Sequence, residues 1–509
     1  MDNPSFTLLA QPPALGFSEK DITYQADVAI IGAGAGGAAS AEVFAKAGLR
    51  VVVLEMGPKF SNFQKNYAHT ARFHMQEGGA MVAQGNAMMP IAAGKGVGGS
   101  TLINSALSFR APAKVLNHWA DILEDERWNF DSLSPIYDEV STFIGVGTTP
   151  EHIAGKNNEL IVRGIKKLGY DGGLAPRNTP RCVGCGICYY GCPSGGKGSV
   201  NLNFMAVAQQ HNTIIQAETH VERLLIEQDT VVGVQGYCVD PETKKRGGTI
   251  TVRAPKVVLS AGAIGTPRLL WHSKAVDILG HHVGNGLQVH PGSTLIGISD
   301  ERIEMWKGAT QGAYYHPPEL EGVLPHTFSA PPEACLLAGG WVGSKFQEGL
   351  ALLPYMCGML VMVSDKGNGS VRAKADGSAD IHYHFDKKDI QRIKDGLVSV
   401  AKVLLEGGAK DLRAPIHGIG IINDPDELQA QLTPRDISDF TLYAAHPMGT
   451  CAMGLDPNTS VVQPTGETHR IKGLYISDAS VFPSSLGVNP QLSTMVVSTL
   501  IARRILERG

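Results

Sequence analysis

The feature that most constrains this chain is a glycine pattern set between two apolar runs near its start. Gly32, Gly34 and Gly37 form G-x-G-x-x-G directly after VAII and at the opening of a stretch, AASAEVFAKAG, that is followed by RVVVLEMG. From 26 to 58 the order is strand, tight turn, helix, strand, which is a β-α-β unit. Such a turn lets the backbone approach a pyrophosphate, whose charge the N-terminus of the following helix stabilises. Glu55 ends the second strand 23 residues after Gly32, the register at which a carboxylate accepts hydrogen bonds from a ribose hydroxyl pair. The unit predicts a dinucleotide cofactor, NAD or FAD.

At 509 residues the chain exceeds what one hydrophobic core usually supports, so two domains are expected. An apolar strand, KVVLSAG at 256–262, followed by the turn AIGTP, reads as a later strand of the same sheet. A third piece, GLYISDASVFP at 473–483, adds one more strand before a final helix over about 490–507. The nucleotide domain is therefore expected to be discontinuous. It should occupy mainly 22–300, with a Cys-rich loop inserted at 180–199, and resume over 439–509. Between them, 301–438 alternates short strand-like segments such as SVRAKADGSADIHYHF with a helical stretch, DIQRIKDGLVSVAKVLLEGG, and is expected to be an α+β substrate domain.

Charge narrows the partners. With 44 basic and 48 acidic side chains the net charge is −4, too small a field to hold nucleic acid or an anionic membrane, so a small-molecule partner is expected. No apolar run reaches the ~18 residues of a membrane helix. The opening MDNPSFTLLAQPPALGF has no basic n-region, so a cytoplasmic location is the default expectation, with export by a partner subunit as the alternative. Glycine makes up 60 of 509 residues, well above the usual ~7%, which implies many tight turns and close backbone approaches.

The segment GKGVGGSTLINSALSFRAP at 94–112 is a glycine-rich loop too elaborate for an ordinary connector. It resembles the first signature of the glucose-methanol-choline (GMC) oxidoreductases. SAGAIGTPRLLWHS at 260–273 resembles the second, and HPMGT and SDASVFPSSLGVNP match near the C-terminus in the same order. The resemblance spans nearly the whole chain and implies FAD, with Gly98, Gly99 and Asn104 lying against the flavin. Some members attach FAD through a His just before this Asn; Ile103 stands there, so the FAD is expected to be non-covalent. Lys274 replaces a usual glycine, a local departure. Val221 matches the position whose backbone meets the adenine, and Asp478 one beside the pyrophosphate and ribityl chain. The expected class is thus α/β: a discontinuous Rossmann-like FAD-binding domain with a second α+β substrate domain.

His446, in AAHPMGTCAMG, and Asn489, in GVNPQLS, stand where the family places its catalytic pair. The chemistry requires such a pair, because an alcohol at pH 7 holds its proton until a base accepts it while the adjacent C–H delivers hydride. The resemblance gives His446 the base role and Asn489 a hydrogen bond to the developing alkoxide. Asn489 before Pro490 also reads as the N-cap and first residue of the final helix. His290, in LQVHPG, resembles a turn beside the site, and His469 reads as a surface residue.

Eight cysteines are present, and Cys182, Cys185, Cys188 and Cys192 follow C-x2-C-x2-C-x3-C-P, the spacing of ferredoxin loops. Soft thiolates suit an iron-sulfur cluster, three-iron from nearby ligands or four-iron if a further thiol joins. Zinc or free thiols are the alternatives. Family members that oxidise sugars and pass electrons to cytochromes resemble this arrangement. The expectation is an FAD-dependent dehydrogenase of an alcohol or sugar that passes electrons through the cluster to a protein or quinone acceptor, with a small partner subunit possible. An oxygen-using oxidase without a cluster and a non-redox FAD-containing lyase are the rivals.

Overall fold

The structure is a computed structural model that describes residues 14–59, 63–332, 335–336, 341 and 343–508. The opening segment read above for export signals therefore lies largely outside the described residues. No helix among them is long and apolar enough to cross a membrane.

The β-α-β unit forms where the glycine pattern places it. Val28–Ile31 leads through the turn into the helix Ala35–Lys46 and on to Val51–Leu54, and both strands are buried at every position. Those apolar runs reflect a parallel sheet covered on both faces. The sheet has five strands in the order Leu474–Ile476, Lys256–Leu259, Val28–Ile31, Val51–Leu54, Ile214–Gln216, all parallel. Its members come from four distant parts of the chain, so the nucleotide fold is discontinuous. The helix Gln491–Glu507 packs across Ala35–Lys46 and carries Leu492, Val496 and Ile501 into the core.

A seven-stranded sheet lies in the other half of the molecule, in the order Ile421–Ile422, Ala409–Arg413, Gly292–Ser299, Met356–Met362, His326–Thr327, Ala313–His316, Asp171–Leu174. Two of these strands, Gly292–Ser299 and Asp171–Leu174, come from before residue 301. The stretch DIQRIKDGLVSVAKVLLEGG is the helix Lys387–Gly407, capped by Asp386 and ended by Gly408 at φ +105. It buries Ile393, Leu397, Val400 and Leu404 in a second core with that sheet. SVRAKADGSADIHYHF supplies the hairpin Gly369–Ala373 and Ala379–Tyr383, part of a separate five-stranded sheet. The nucleotide fold and the larger sheet thus flank a common cavity.

Candidate active site

A cavity of about 1140 Å³ runs between the two halves. Gly32, Gly34, Glu55, Gly99, Asn104, Val221, Asp478, His446 and Asn489 all line it. Gly37 and Gly98 do not. A Cβ on Gly37 would fall 1.9 Å from the Gly32 carbonyl oxygen, so this glycine is needed for packing under the turn. Gly98, at φ +124, donates its N–H to the Ala33 oxygen at 3.0 Å and so fixes the second loop to the first. Gly34 is different. A Cβ there would meet only the Cα of Gly99, at 3.8 Å, so protein packing does not require the missing side chain and the bare backbone is open to a ligand. The turn thus suits a pyrophosphate at the N-terminus of Ala35–Lys46.

Glu55 is buried and already committed. Its Oε2 accepts from Ala33 N at 2.9 Å, and its Oε1 from Gly57 N at 2.8 Å and Gly96 N at 2.9 Å. Burial raises its carboxyl above the ordinary value, with these N–H donors opposing. The carboxylate therefore holds three loops together at the cavity edge, and Oε2 has the capacity for one more donor. Asp478 does similar work: Oδ2 accepts from Gly262 N at 2.9 Å and Thr266 Oγ1 at 2.6 Å, and Oδ1 from Ser480 N at 2.8 Å. Asn104 accepts from Ala106 N at 3.1 Å through Oδ1 and pairs its amide with Gln491 Oε1.

At the far wall Asn489 Nδ2 lies 3.1 Å from His446 Nε2. Asn489 is buried and its Oδ1 has no hydrogen-bond partner among the described residues. The expected capping role is not what the side chain performs. The helix starts at Gln491 with Pro490 as N-cap, no side chain caps it, and Thr494 N donates to the Pro490 oxygen at 2.8 Å. A proline at the cap has no N–H to satisfy and leaves the preceding asparagine free to face the cavity. Gln491, in the first turn of this helix, where the N–H groups have no intrahelical acceptor, borders the cavity.

Two further histidines crowd the pair. Gly487 N donates to His290 Nε2 at 3.1 Å, so His290 carries its proton on Nδ1, which stands 3.4 Å from Nδ1 of His446. Ser485 Oγ also meets His290 Nε2, at 2.9 Å, and contacts Ser364 Oγ at 3.0 Å. His326 lines the same cavity, and among the described residues neither ring nitrogen has a hydrogen-bond partner. Burial lowers all three imidazoles: His446 to about 4, His326 to about 3, and His290 well below its ordinary value. Each is neutral at pH 7. His290 is legible in the sequence only as a turn beside the site, and His326, between Pro325 and Thr327, carries no periodic signal there. His469 is half-buried and bonds Ser460 Oγ at 2.9 Å, away from the cavity lining.

The four loop cysteines, Cys182, Cys185, Cys188 and Cys192, ring a second, small cavity. Donors point at three of the sulfurs: Gly184 N at Cys182 (3.4 Å), Lys197 N at Cys192 (3.3 Å) and Arg177 Nη2 at Cys188 (3.4 Å). Burial raises the Cys188 thiol, but Arg177 and Lys197 outweigh it and hold the group below its ordinary value. Among the described residues no group of three or more His, Cys, Asp or Glu side chains is arranged to hold a metal ion. Tyr189 and Tyr190, which follow Cys188, line the large cavity instead, so the two cavities share a wall.

Comparison with known proteins agrees with this geometry. The N-terminal GMC oxidoreductase pattern matches residues 71–292, the C-terminal one 365–498, and an FAD-binding domain pattern 27–71. An uncharacterised GMC-type oxidoreductase of Mycobacterium tuberculosis is 33% identical over 484 residues, covering 94% of this chain and 75% of that protein. The chain belongs to the GMC oxidoreductase family. As a GMC oxidoreductase it is an FAD-dependent enzyme acting on CH–OH donors. A long-chain-alcohol oxidase of Arabidopsis thaliana is 26% identical over 541 residues, covering 96% of this chain and 70% of that protein. Among solved structures, pyridoxine 4-oxidase from Mesorbium loti superposes with a TM-score of 0.72 at 17% identity, covering 94% of this chain and 99% of that one, a likeness of fold.

Proposed function

We propose that this GMC enzyme oxidises an alcohol carbon at the His446–Asn489 pair; an iron-sulfur cluster, were one held at the cysteine loop, would supply a route for the electrons to an external protein or quinone acceptor. The observation that carries the first half is the contact of Asn489 with His446 in the same cavity as a glycine turn open to a dinucleotide. Bound FAD supplies the hydride acceptor. Ile103 stands where a covalent anchor would be, so the cofactor is held by Gly32, Gly34, Gly99, Asn104, Val221 and Asp478 without a bond to the chain. The open N-terminus of Gln491–Glu507 would stabilise negative charge on the reduced ring.

His446, neutral at pH 7, takes the hydroxyl proton at Nε2 while the Asn489 amide hydrogen-bonds the oxygen as its charge develops. Acceptance at Nε2 requires the resting proton of His446 to sit on Nδ1. The His290 contact must then invert, His290 donating from Nε2 to Ser485 and giving up the bond from Gly487 N. Phe328, Leu360 and Met362 form an apolar wall near the pair, which favours an alcohol with an apolar body over a sugar.

The cluster reading is supported by four thiols around one cavity with donors aimed at three sulfurs. Cys182, Cys185, Cys188 and Cys192 would hold it, as three-iron or four-iron. A second reading, an oxidase that returns electrons to oxygen, is favoured by the similarity to long-chain-alcohol oxidase. Purification without oxygen, followed by absorption and spin-resonance spectra and an iron and sulfide assay, separates the two. Iron with a cluster signal supports the relay; flavin without iron, and peroxide formed on an alcohol panel, supports the oxidase.

A further inference from the structure

The apolar wall of the large cavity carries a polar side chain that the protein itself leaves unbonded. His326 opposes Leu360 across the strand pair His326–Thr327 and Met356–Met362. Phe328 and Met362 follow on the same face at two-residue steps, and all four side chains line the cavity. Thr327, whose side chain takes the opposite face, is satisfied: its Oγ1 accepts from Ala313 N at 3.0 Å and donates to Asn158 Oδ1 at 2.7 Å. His290 and His446 also have bonded partners. His326 is 2% exposed, and among the described residues neither of its ring nitrogens has a hydrogen-bond partner. Leaving buried polar atoms unpaired is destabilising, and an apolar side chain would fill the same place without that penalty.

Burial lowers the His326 imidazole to about 3, against a smaller opposing pull from the Thr327 backbone, which lies outside hydrogen-bond geometry. At pH 7 the ring is therefore neutral and presents one N–H and one bare nitrogen. Its natural complement is a group that both donates and accepts, and a hydroxyl does both. A charged group does not fit, because Phe328, Leu360 and Met362 supply no counter-charge. Resting on the reading that an alcohol is oxidised at His446 and Asn489, we propose that His326 is a second polar contact for the substrate, which is an apolar alcohol carrying one further hydroxyl away from the carbon that is oxidised. The pair holds the reacting hydroxyl, His326 the second one, and the apolar wall the carbons between them. A monohydric alcohol in the same cavity leaves the ring without its partner and is selected against.

The test uses the full chain loaded with FAD, as wild type, His326→Leu and His326→Gln, mixed under argon with n-octanol and with octanediols whose second hydroxyl sits at successive carbons. In the wild type the best diol is expected to exceed n-octanol about fivefold to tenfold in the second-order rate of flavin bleaching, the worth of one well-made hydrogen bond. His326→Leu is expected to abolish that preference, and His326→Gln, which keeps a donor and an acceptor, to retain part of it. Melting gives a readout independent of turnover. The His326→Leu apoprotein is expected to melt at or above the wild-type temperature, because an unpaired polar group is exchanged for an apolar one. A clearly lower melting temperature, or no folded protein, would assign the ring a structural task and overturn the inference. Bleaching by n-octanol and every diol alike in the wild type, or a diol preference that survives in His326→Leu, also overturns it, assigns the ring to cavity water and leaves alcohol oxidation standing. Bleaching of the wild type by no alcohol overturns both.

Discussion

Asn489 Nδ2 stands 3.1 Å from His446 Nε2 while Asn489 Oδ1, buried, has no hydrogen-bond partner among the described residues. A buried polar atom left unpaired costs about 1–3 kcal/mol, so the site is built to be completed by something other than the chain. A hydrogen-bond donor on a bound molecule, such as an alcohol O–H, meets that need. Asn489→Ala is expected to slow flavin reduction by alcohol about 10²–10³-fold with FAD content unchanged, as when one donor to a developing oxyanion is removed. Stopped-flow bleaching under argon checks this; an unchanged rate would remove Asn489 from the chemistry.

Acid sensitivity follows from the buried histidines. His446 and His326 have folded values of about 4 and about 3, both lowered by burial from an ordinary 6.5. Between pH 6.5 and 4 the unfolded chain binds protons that the folded chain does not. Stability is therefore complete above about pH 6.5 and declines as pH falls toward 4. The rate of flavin reduction is expected to show no acid limb near 6.5 and to fall only near 4. Thermal melts and rates measured across pH 4 to 8 test both; a limb centred near 6.5 would contradict the burial of His446.

The two glycines of the turn should respond oppositely to alanine. Gly34→Ala adds a methyl that meets only Gly99 Cα at 3.8 Å, so the apoprotein should melt within about 1 kcal/mol of wild type while FAD is lost. Gly37→Ala drives a methyl into the Gly32 oxygen at 1.9 Å and should prevent folding. Melting and flavin content of the two variants distinguish a ligand cradle from a packing site; equal behaviour would mean that Gly34 does not face the cofactor.

Ser485→Ala removes the acceptor that His290 needs if its proton chain inverts during turnover. Flavin reduction is expected to slow about fivefold, one hydrogen bond of about 1 kcal/mol, with no change in FAD content. Equal rates would show that His290 keeps its resting tautomer.

The nucleotide fold was legible because its signals are local. Gly32, Gly34 and Gly37 lie between two apolar strands, and the strands at 256–259 and 474–476 follow the same pattern. The membership of Gly292–Ser299 and Asp171–Leu174 in the larger sheet was not, since pairing with strands far along the chain leaves no periodic trace. Asn489 before Pro490 looked like a cap, and only the tertiary contact with His446 shows what its side chain meets. Arg177 and Lys197 were invisible for another reason. A lone cation in a sequence is ordinarily solvated, and only the structure shows both side chains buried.

The most direct measurement is anaerobic mixing of FAD-loaded wild type and His446→Gln with primary alcohols of increasing chain length, followed by flavin absorbance. Alcohol oxidation at this pair requires the wild-type flavin to bleach, and His446→Gln to bind FAD normally yet bleach about 10²–10⁴-fold more slowly. Bleaching by no alcohol in the wild type, or at an equal rate in the variant, would contradict it.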